Sequence, residues 1–211
     1  MAYWLIKLVF FSICIATAFT GIARASDPDI LFDYILPENA TSVDGNFFTY
    51  TNLRELFEED PKSMAASMAE FPALNGQSVS VSVLRLPPGA VSAPHARPRA
   101  TGLFFVLEGR VEVGFVDTTN KLYTQSLETG DMFIFPKGLV HYQYNPDSNN
   151  PATAVAAFGS ASAATVSVPT SLFGTDVDDV VLAKSFKTDV ATIRKLKAGL
   201  GGKAAGDRKL H

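Results

Sequence analysis

The sequence has very little of what cross-links a small protein. It contains one cysteine, Cys14, and one tryptophan, Trp4, in 211 residues, which excludes an intrachain disulfide and a cysteine-rich zinc site. Charged residues make up only 18% of the chain and the formal net charge is -3. Because basic residues cluster only near the C-terminus, a nucleic-acid partner is excluded. The hydrophobic content of 47% indicates one folded domain rather than a disordered chain.

The one long apolar run lies at the N-terminus. Lys7 precedes an apolar core from Leu8 to Ile22, and Ala23-Arg24-Ala25 follows it, which is the order of a secretory signal peptide with its small-residue cleavage site. The core is shorter than the ~20 residues of a membrane-spanning helix. We therefore predict that residues 1–25 are removed and that the mature protein is secreted without a membrane segment. In the secretory pathway Asn39, in the one N-x-S/T triplet of the chain, is a candidate glycosylation site.

Short stretches of period two fill the middle of the chain. Val79, Val81 and Val83 alternate with serines, which predicts a half-buried strand but leaves open which face is buried. Five further apolar or alternating stretches predict strands: Leu103–Leu107, Val111–Phe115, Leu122–Leu127, Met132–Phe135 and Ala152–Phe158. Glycine and proline turns separate them. Many short strands at this spacing indicate an all-β protein, a sandwich or barrel of the double-sheet jelly-roll kind.

The remaining segments complete the predicted organisation. Residues 26–75 are irregular and predict an extended N-terminal arm, with two short helical pieces between Asn52 and Phe71. Residues 76–170 form the predicted barrel. Apolar residues then recur every three to four positions in 171–200, which indicates short C-terminal α-helices. The Gly-rich basic tail, 201–211, is predicted to be disordered.

Two of the three histidines, His95 and His141, stand in similar Gly- and Pro-rich settings at the ends of predicted strands. The segments around them, Pro94–Gly109 and Gly130–Asn145, follow the two motifs of the germin and germin-like branch of the cupin superfamily almost position by position. The chain resembles this family over about residues 26 to 200. The resemblance implies a secreted β-jelly-roll barrel that assembles as a hexamer, a trimer of dimers.

The resemblance also implies one manganese ion in each barrel, held by three histidines and one glutamate, with oxalate oxidase or superoxide dismutase activity in some members. Here His95 and His141 occupy two of the four ligand positions, whereas Arg97 and Gly102 stand at the other two. Ser92 stands where many relatives carry asparagine. Two neutral nitrogens, no carboxylate and a permanent positive charge predict that manganese binds weakly or not at all.

Germins also carry two cysteines that join the arm to the barrel, and this chain has none in the matching segments, Phe32–Ile35 and Val43–Phe48. Either apolar packing by Ile35 and Phe47 with Phe48 replaces the disulfide, or the arm is more mobile.

Three functions follow from the resemblance. The first is an extracellular protein of the plant apoplast or cell wall with a degenerate manganese site, a structural, binding or defence-related oligomer that is not an oxalate oxidase. The alternative is a manganese superoxide dismutase or other oxidoreductase, in which His95, His141 and an oxygen ligand such as Asn145 hold the ion. The third is a metal-free binding module for a small anion or a wall polymer.

Overall fold

The computed structural model describes residues 27, 30–38, 41–57 and 63–201. The predicted signal segment 1–25, the glycosylation candidate Asn39 and the tail beyond residue 201 lie outside these ranges. Within them, no helix combines the length and apolar character needed to cross a bilayer.

In the described part of the chain, ten strands form two antiparallel sheets of five strands each, so the all-β jelly-roll prediction is confirmed. The first sheet has the order β1-β2-β9-β4-β7, with strands Met64–Ala66, Ser80–Leu86, Ala152–Phe158, Gly102–Glu108 and Met132–Phe135. The second has the order β10-β3-β8-β5-β6, with strands Val166–Ser167, Val91–Ala96, Val140–Tyr144, Arg110–Val116 and Leu122–Glu128.

The core lies between the two sheets because alternate residues of each strand point inward. Phe104 and Val106 from the first sheet and Val111 and Val113 from the second are almost completely buried. Gly109 makes the turn between β4 and β5 with φ of 81°. A Cβ at this position would lie 2.9 Å from the Pro151 carbonyl oxygen, so the turn requires glycine both for its backbone conformation and for space.

Strand β2 shows which face of the valine–serine alternation is inside. Ser80 pairs with the buried Phe158, and Ser82 pairs with Ala156. The Ser80 hydroxyl donates to the Ser160 carbonyl oxygen at 2.6 Å, which satisfies its burial. Cross-strand partners share a face, so the serines point into the barrel and Val81 and Val83 point outward.

The helical prediction after Pro61 was wrong. Met64–Ala66 forms strand β1 and pairs with Val81–Val83 of β2. A helix of so few residues has too few internal hydrogen bonds to be stable alone, whereas the edge of β2 supplies backbone partners. The first predicted piece forms a 3-10 helix, Asn52–Phe57.

Hydrogen bonds join the N-terminal arm to the barrel, and aromatic contacts join residues within the arm. The Asp27 carboxylate accepts from the Ser160 hydroxyl and from the Ala161 N–H, both at 2.6 Å. The Gln77 side chain donates to the Asp33 carbonyl oxygen at 3.0 Å. Phe48 packs edge-to-face on Tyr34 and Phe47 within the arm and stays 47% exposed. The Asp27 carboxylate therefore anchors the start of the arm to the segment at Ser160, a contact that the sequence analysis did not predict.

Three C-terminal helices follow the sheets: α1 Val168–Phe173, α2 Asp179–Ser185 and α3 Val190–Gly201. Leu182, Ala183 and Ile193 form a small core of their own. Asp179 of α2 accepts from Arg194 at 2.9 Å and from Lys197 at 2.8 Å on α3. The helical region predicted from the three-to-four-residue period is therefore present, and it begins a few residues earlier than predicted.

Candidate metal centre

The two histidines predicted as ligands lie side by side in the barrel. His95 near the end of β3 is the direct cross-strand partner of His141 in β8, and their ring centroids are 4.3 Å apart. Both side chains are buried. Each Nδ1 lies 2.8 Å from the carbonyl oxygen two residues earlier, that of Ala93 or Leu139. A carbonyl can only accept, so Nδ1 carries the proton and Nε2 keeps its lone pair in both rings.

The protein environment keeps both imidazoles neutral. Burial lowers the pKa of His141 to about 4, and the Arg97 charge and the repulsion that would arise if His95 were protonated as well add to this effect. Burial also lowers the pKa of His95, and the Arg97 charge adds to this effect. The Phe135 ring stacks on His141 with centroids 4.4 Å apart. Near neutral pH the pair therefore offers two unprotonated nitrogens.

Arg97 follows β3 directly and lies across one aromatic ring. Its guanidinium carbon is 4.4 Å from the centroid of the Phe158 ring, in cation–π geometry. Nη1 donates to the Ala164 carbonyl oxygen at 3.2 Å and to the Thr165 hydroxyl at 2.5 Å. Nε is buried and has no hydrogen-bond partner among the described residues. Burial lowers the pKa of Arg97 to about 10, so the side chain remains a cation at neutral pH.

Gly102 begins β4 and pairs with Phe158 on one side and Phe135 on the other. A Cβ at this glycine would lie 3.3 Å from Phe158 Cε1 and 3.9 Å from Phe135 Cβ. The two phenylalanines therefore flank the position where the family resemblance places a carboxylate ligand. Sequence reasoning did not single out Phe158, although Ala152–Phe158 was predicted as a strand.

These donors do not fit a manganese ion. Within the described residues no three His, Cys, Asp or Glu side chains come together, and two imidazoles without a carboxylate are a poor set for a hard divalent cation. The side chain of Asn145, the predicted oxygen ligand, is also fully used in other hydrogen bonds. Its Nδ2 donates to three backbone carbonyl oxygens, those of Leu86, Pro87 and Asn150, and its Oδ1 accepts from the Asp147 N–H.

The other polar residues near the motifs divide into two groups. Arg99 donates twice to Ser162, at 2.6 and 2.8 Å, so its role is structural, and Glu108 is exposed. Ser92 instead pairs with Gln143 on the interior face. Gln143 is buried, and within the part of the chain that the structure describes its Oε1 has no hydrogen-bond partner. The sequence analysis did not single out Gln143. Its position two residues after His141 on β8 places both side chains on the same face of the strand, and this spacing could have identified it.

The comparisons with known proteins agree with this architecture. The sequence matches the cupin family over residues 62–194. It is 53% identical to germin-like protein 9-3 of Oryza sativa subsp. japonica, over 89% of this chain and 92% of that protein. It is 36% identical to germin-like protein subfamily 2 member 1 of Arabidopsis thaliana, over 84% and 89%.

A solved structure of oxalate oxidase in complex with the substrate analogue glycolate superposes with a TM-score of 0.73 at 30% identity. The alignment covers 83% of this chain and 98% of that one. Both the sequence relatives and the structural match extend over most of the chain, through both histidine motifs. The chain belongs to the germin-like proteins of the cupin family.

Proposed function

We propose that this chain is an extracellular germin-like protein that works without a resident manganese ion, by binding rather than by oxidising oxalate. The observation that carries the proposal is the Arg97 guanidinium, which lies over the Phe158 ring next to Gly102 and whose charge lowers the pKa of His95 and His141. The fixed positive charge of Arg97 repels a manganese ion. Gly102 supplies no carboxylate that would offset this repulsion.

The same charge favours a small anion. The hydrogen bonds of Arg97 to Ala164 and Thr165 both come from Nη1, and Nε has no hydrogen-bond partner in residues 27, 30–38, 41–57 and 63–201. The edge formed by Nε and Nη2 is the fork that matches a planar carboxylate with two parallel hydrogen bonds. Phe158 fixes the plane of this fork. Because Nε is buried, neighbouring side chains must move to admit a ligand. We propose a small carboxylate as the ligand.

Thermal melting of metal-free protein tests this function. Sodium acetate, compared with sodium chloride at equal ionic strength, is expected to raise the melting temperature of the wild type, because a ligand that binds only the native state stabilises it. Arg97→Gln should abolish the acetate-specific rise. Lys137→Gln is the matched control: it removes an exposed cation next to Gly138, whose N–H donates to the Arg97 carbonyl oxygen. An equal rise in the Arg97 variant, or none in the wild type, would contradict carboxylate binding.

The extracellular location is supported by the signal-like order of residues 1–25 and by the germin-like relatives. N-terminal sequencing of secreted protein is expected to begin near Ser26. Asp27, which anchors the arm through Ser160, would then lie one residue from the mature N-terminus. An intact Met1 on a membrane-embedded product would contradict this processing. The mature protein is also proposed to be a homo-oligomer, as the family resemblance implies.

A further inference from the structure

A tyrosine ring lies across a glycine on the outer face of the second sheet. Gly114 in β5 is the register partner of Tyr142 in β8, and a Cβ at Gly114 would lie 2.7–2.8 Å from Cε1, Cζ and Oη of the tyrosine. Three such atoms can be equally far from one point at this distance only when the point lies above the ring plane. One face of the ring is therefore turned toward Gly114. Gly114 is buried and Tyr142 is partly exposed, so the other face of the ring is turned outward.

The contact with Gly114 fixes the orientation of this ring. A glycine in a strand has no side chain to pack, and an aromatic ring that covers it from the neighbouring strand stabilises the sheet. The tyrosine side chain has only two χ angles, so little conformational entropy remains to be lost when a ligand binds to it. Tyr142 is therefore a flat aromatic platform that is already in place on the outer surface.

Hydrogen-bonding side chains lie beside the platform in two rows of register partners. Thr124 of β6 and Glu112 of β5 are both exposed. The hydroxyl of threonine can donate and accept, and the carboxylate of glutamate accepts. We call the residues of the two rows the tyrosine face: Tyr142, Gly114 and Thr124 in one row, and Tyr144, Glu112 and Ser126 in the next.

The charges of β5 and β6 around the tyrosine face favour a neutral ligand. Arg110 and Glu128 are register partners at its end, and together with Glu112 they provide one positive and two negative side chains. Nε of Arg110 donates to the Ser126 hydroxyl at 2.7 Å, which holds the guanidinium against the sheet. Two carboxylates repel a polymer of acidic sugars, whereas neutral hydroxyl groups can donate to both of them.

The tyrosine face is separate from the carboxylate site proposed above. Successive residues of a strand point to opposite faces of a sheet. Tyr142 therefore points outward, while His141 and Gln143 on either side of it are buried in the barrel. A ligand on the tyrosine face would be a second ligand of a different chemical class, and neither proposal requires the other.

We propose that the tyrosine face binds an extended, neutral polysaccharide chain and that one pyranose ring of this chain stacks on Tyr142. The face of an aromatic ring is the negative part of its quadrupole, and the C–H groups of a sugar are its positive part. A pyranose whose hydroxyls are all equatorial turns only C–H groups toward the ring and directs its hydroxyls sideways, where Glu112 and Thr124 can bind them. A flat sheet face suits the side of an extended chain. A β-1,4-linked glucan combines these features.

Affinity gel electrophoresis tests this site, with hydroxyethyl cellulose in the gel as a soluble, neutral β-1,4-glucan. The glucan is expected to retard the wild type, whereas polygalacturonate at the same concentration should not. Tyr142→Leu should weaken glucan binding by about tenfold because it removes the aromatic face, and Tyr142→Phe should retain binding. Tyr123→Leu is the matched control and should leave binding unchanged, since Tyr123 lies on the opposite face of the sheet, where it stacks on Phe115.

Two further variants keep the test decisive. Tyr142→Leu also uncovers Gly114, so its circular dichroism spectrum and cooperative melting are compared with those of the wild type. Glu112→Ala changes an exposed side chain and leaves the ring in place, and it should also weaken glucan binding. Arg97→Gln should bind the glucan as the wild type does, which separates this site from the carboxylate site.

The outcomes decide the proposal. A wild type that the glucan does not retard, or that polygalacturonate retards equally, would overturn it. Folded Tyr142→Leu and Glu112→Ala variants that both bind like the wild type would also overturn it. A change in particle mass in Tyr142→Leu would assign the tyrosine face to a contact between copies of the chain instead. Weaker glucan binding in these two variants, beside unchanged binding in the Tyr123 and Arg97 variants, supports the polysaccharide site.

Discussion

Changing Arg97 to histidine and Gly102 to glutamate together is expected to create a manganese site, whereas the wild type should purify with substoichiometric manganese. The double variant removes the fixed positive charge and supplies three imidazoles and one carboxylate, a donor set that suits a redox-active divalent ion. We expect the double variant to bind manganese more than about 100-fold more tightly than the wild type. Losing a residue that only supports a metal ligand costs up to about 100-fold in affinity, and gaining two direct ligands should exceed that. Metal quantification per chain measures the effect.

Each single variant is a control for the pair. Arg97→His alone leaves no carboxylate, and Gly102→Glu alone leaves the Arg97 cation in place, so either should gain little metal. The new glutamate also meets the Phe158 ring, since a Cβ at position 102 would lie 3.3 Å from it. Adding Phe158→Leu to the pair relieves that contact if the ring does not shift. Near-stoichiometric manganese in the wild type would disprove the degenerate site, and a triple variant that folds but binds no metal would show that surrounding residues such as Ser92 also matter.

The free energy of unfolding is expected to fall as the pH drops from about 7 to about 4.5. Burial lowers the pKa of His141 to about 4 in the folded state, whereas an unfolded histidine titrates near 6.5. Between these values the unfolded chain binds a proton that the native chain does not, so stability is present above about pH 6.5 and is lost as the pH falls toward 4. For His141 the loss is on the order of 2–3 kcal/mol.

Urea unfolding at several pH values measures this dependence. His141→Gln removes one titrating group and should reduce the pH dependence between pH 6.5 and 4.5, while His95, whose pKa burial also lowers, and the carboxylates that titrate below this range remain. An identical pH dependence in the wild type and the variant would contradict a neutral, buried His141. The wild-type curve by itself decides nothing, because Asp117 and Asp147 also have a lowered pKa through hydrogen bonds to the folded backbone and side chains.

Much of the fold could be predicted because its signals are local. Apolar runs and alternating stretches identified β4, β5, β6, β7 and β9 at or within a residue of their observed bounds. The polar segment from Asp117 to Lys121 forms the turn between β5 and β6, in which the Asp117 carboxylate accepts from the Thr119 and Lys121 N–H groups. These interactions join neighbours in the chain, so residue types and spacing were sufficient.

The prediction failed where a partner distant in the sequence decides the structure. Met64–Ala66 was predicted to be helical, and it is a strand only because β2 offers it an edge. The alternation in β2 predicted that valines and serines lie on opposite faces of the strand. Only the pairing of Ser80 with Phe158 showed that the serine face points into the barrel. The Asp27 anchor joins residues that are more than 130 positions apart, and no local pattern signals such a contact.

The sequence by itself determined the jelly-roll class, the pairing of His95 with His141 through their motifs, and the presence of Arg97 and Gly102 beside them. Only the tertiary structure decided what those two replacements do. The register that sets Gly102 between Phe135 and Phe158 brings aromatic rings to the glycine, and the fold brings the guanidinium of Arg97 onto one of them. The physical reason is that strand order comes from long-range pairing: β9 lies between β2 and β4, which are its neighbours in space and not in the chain.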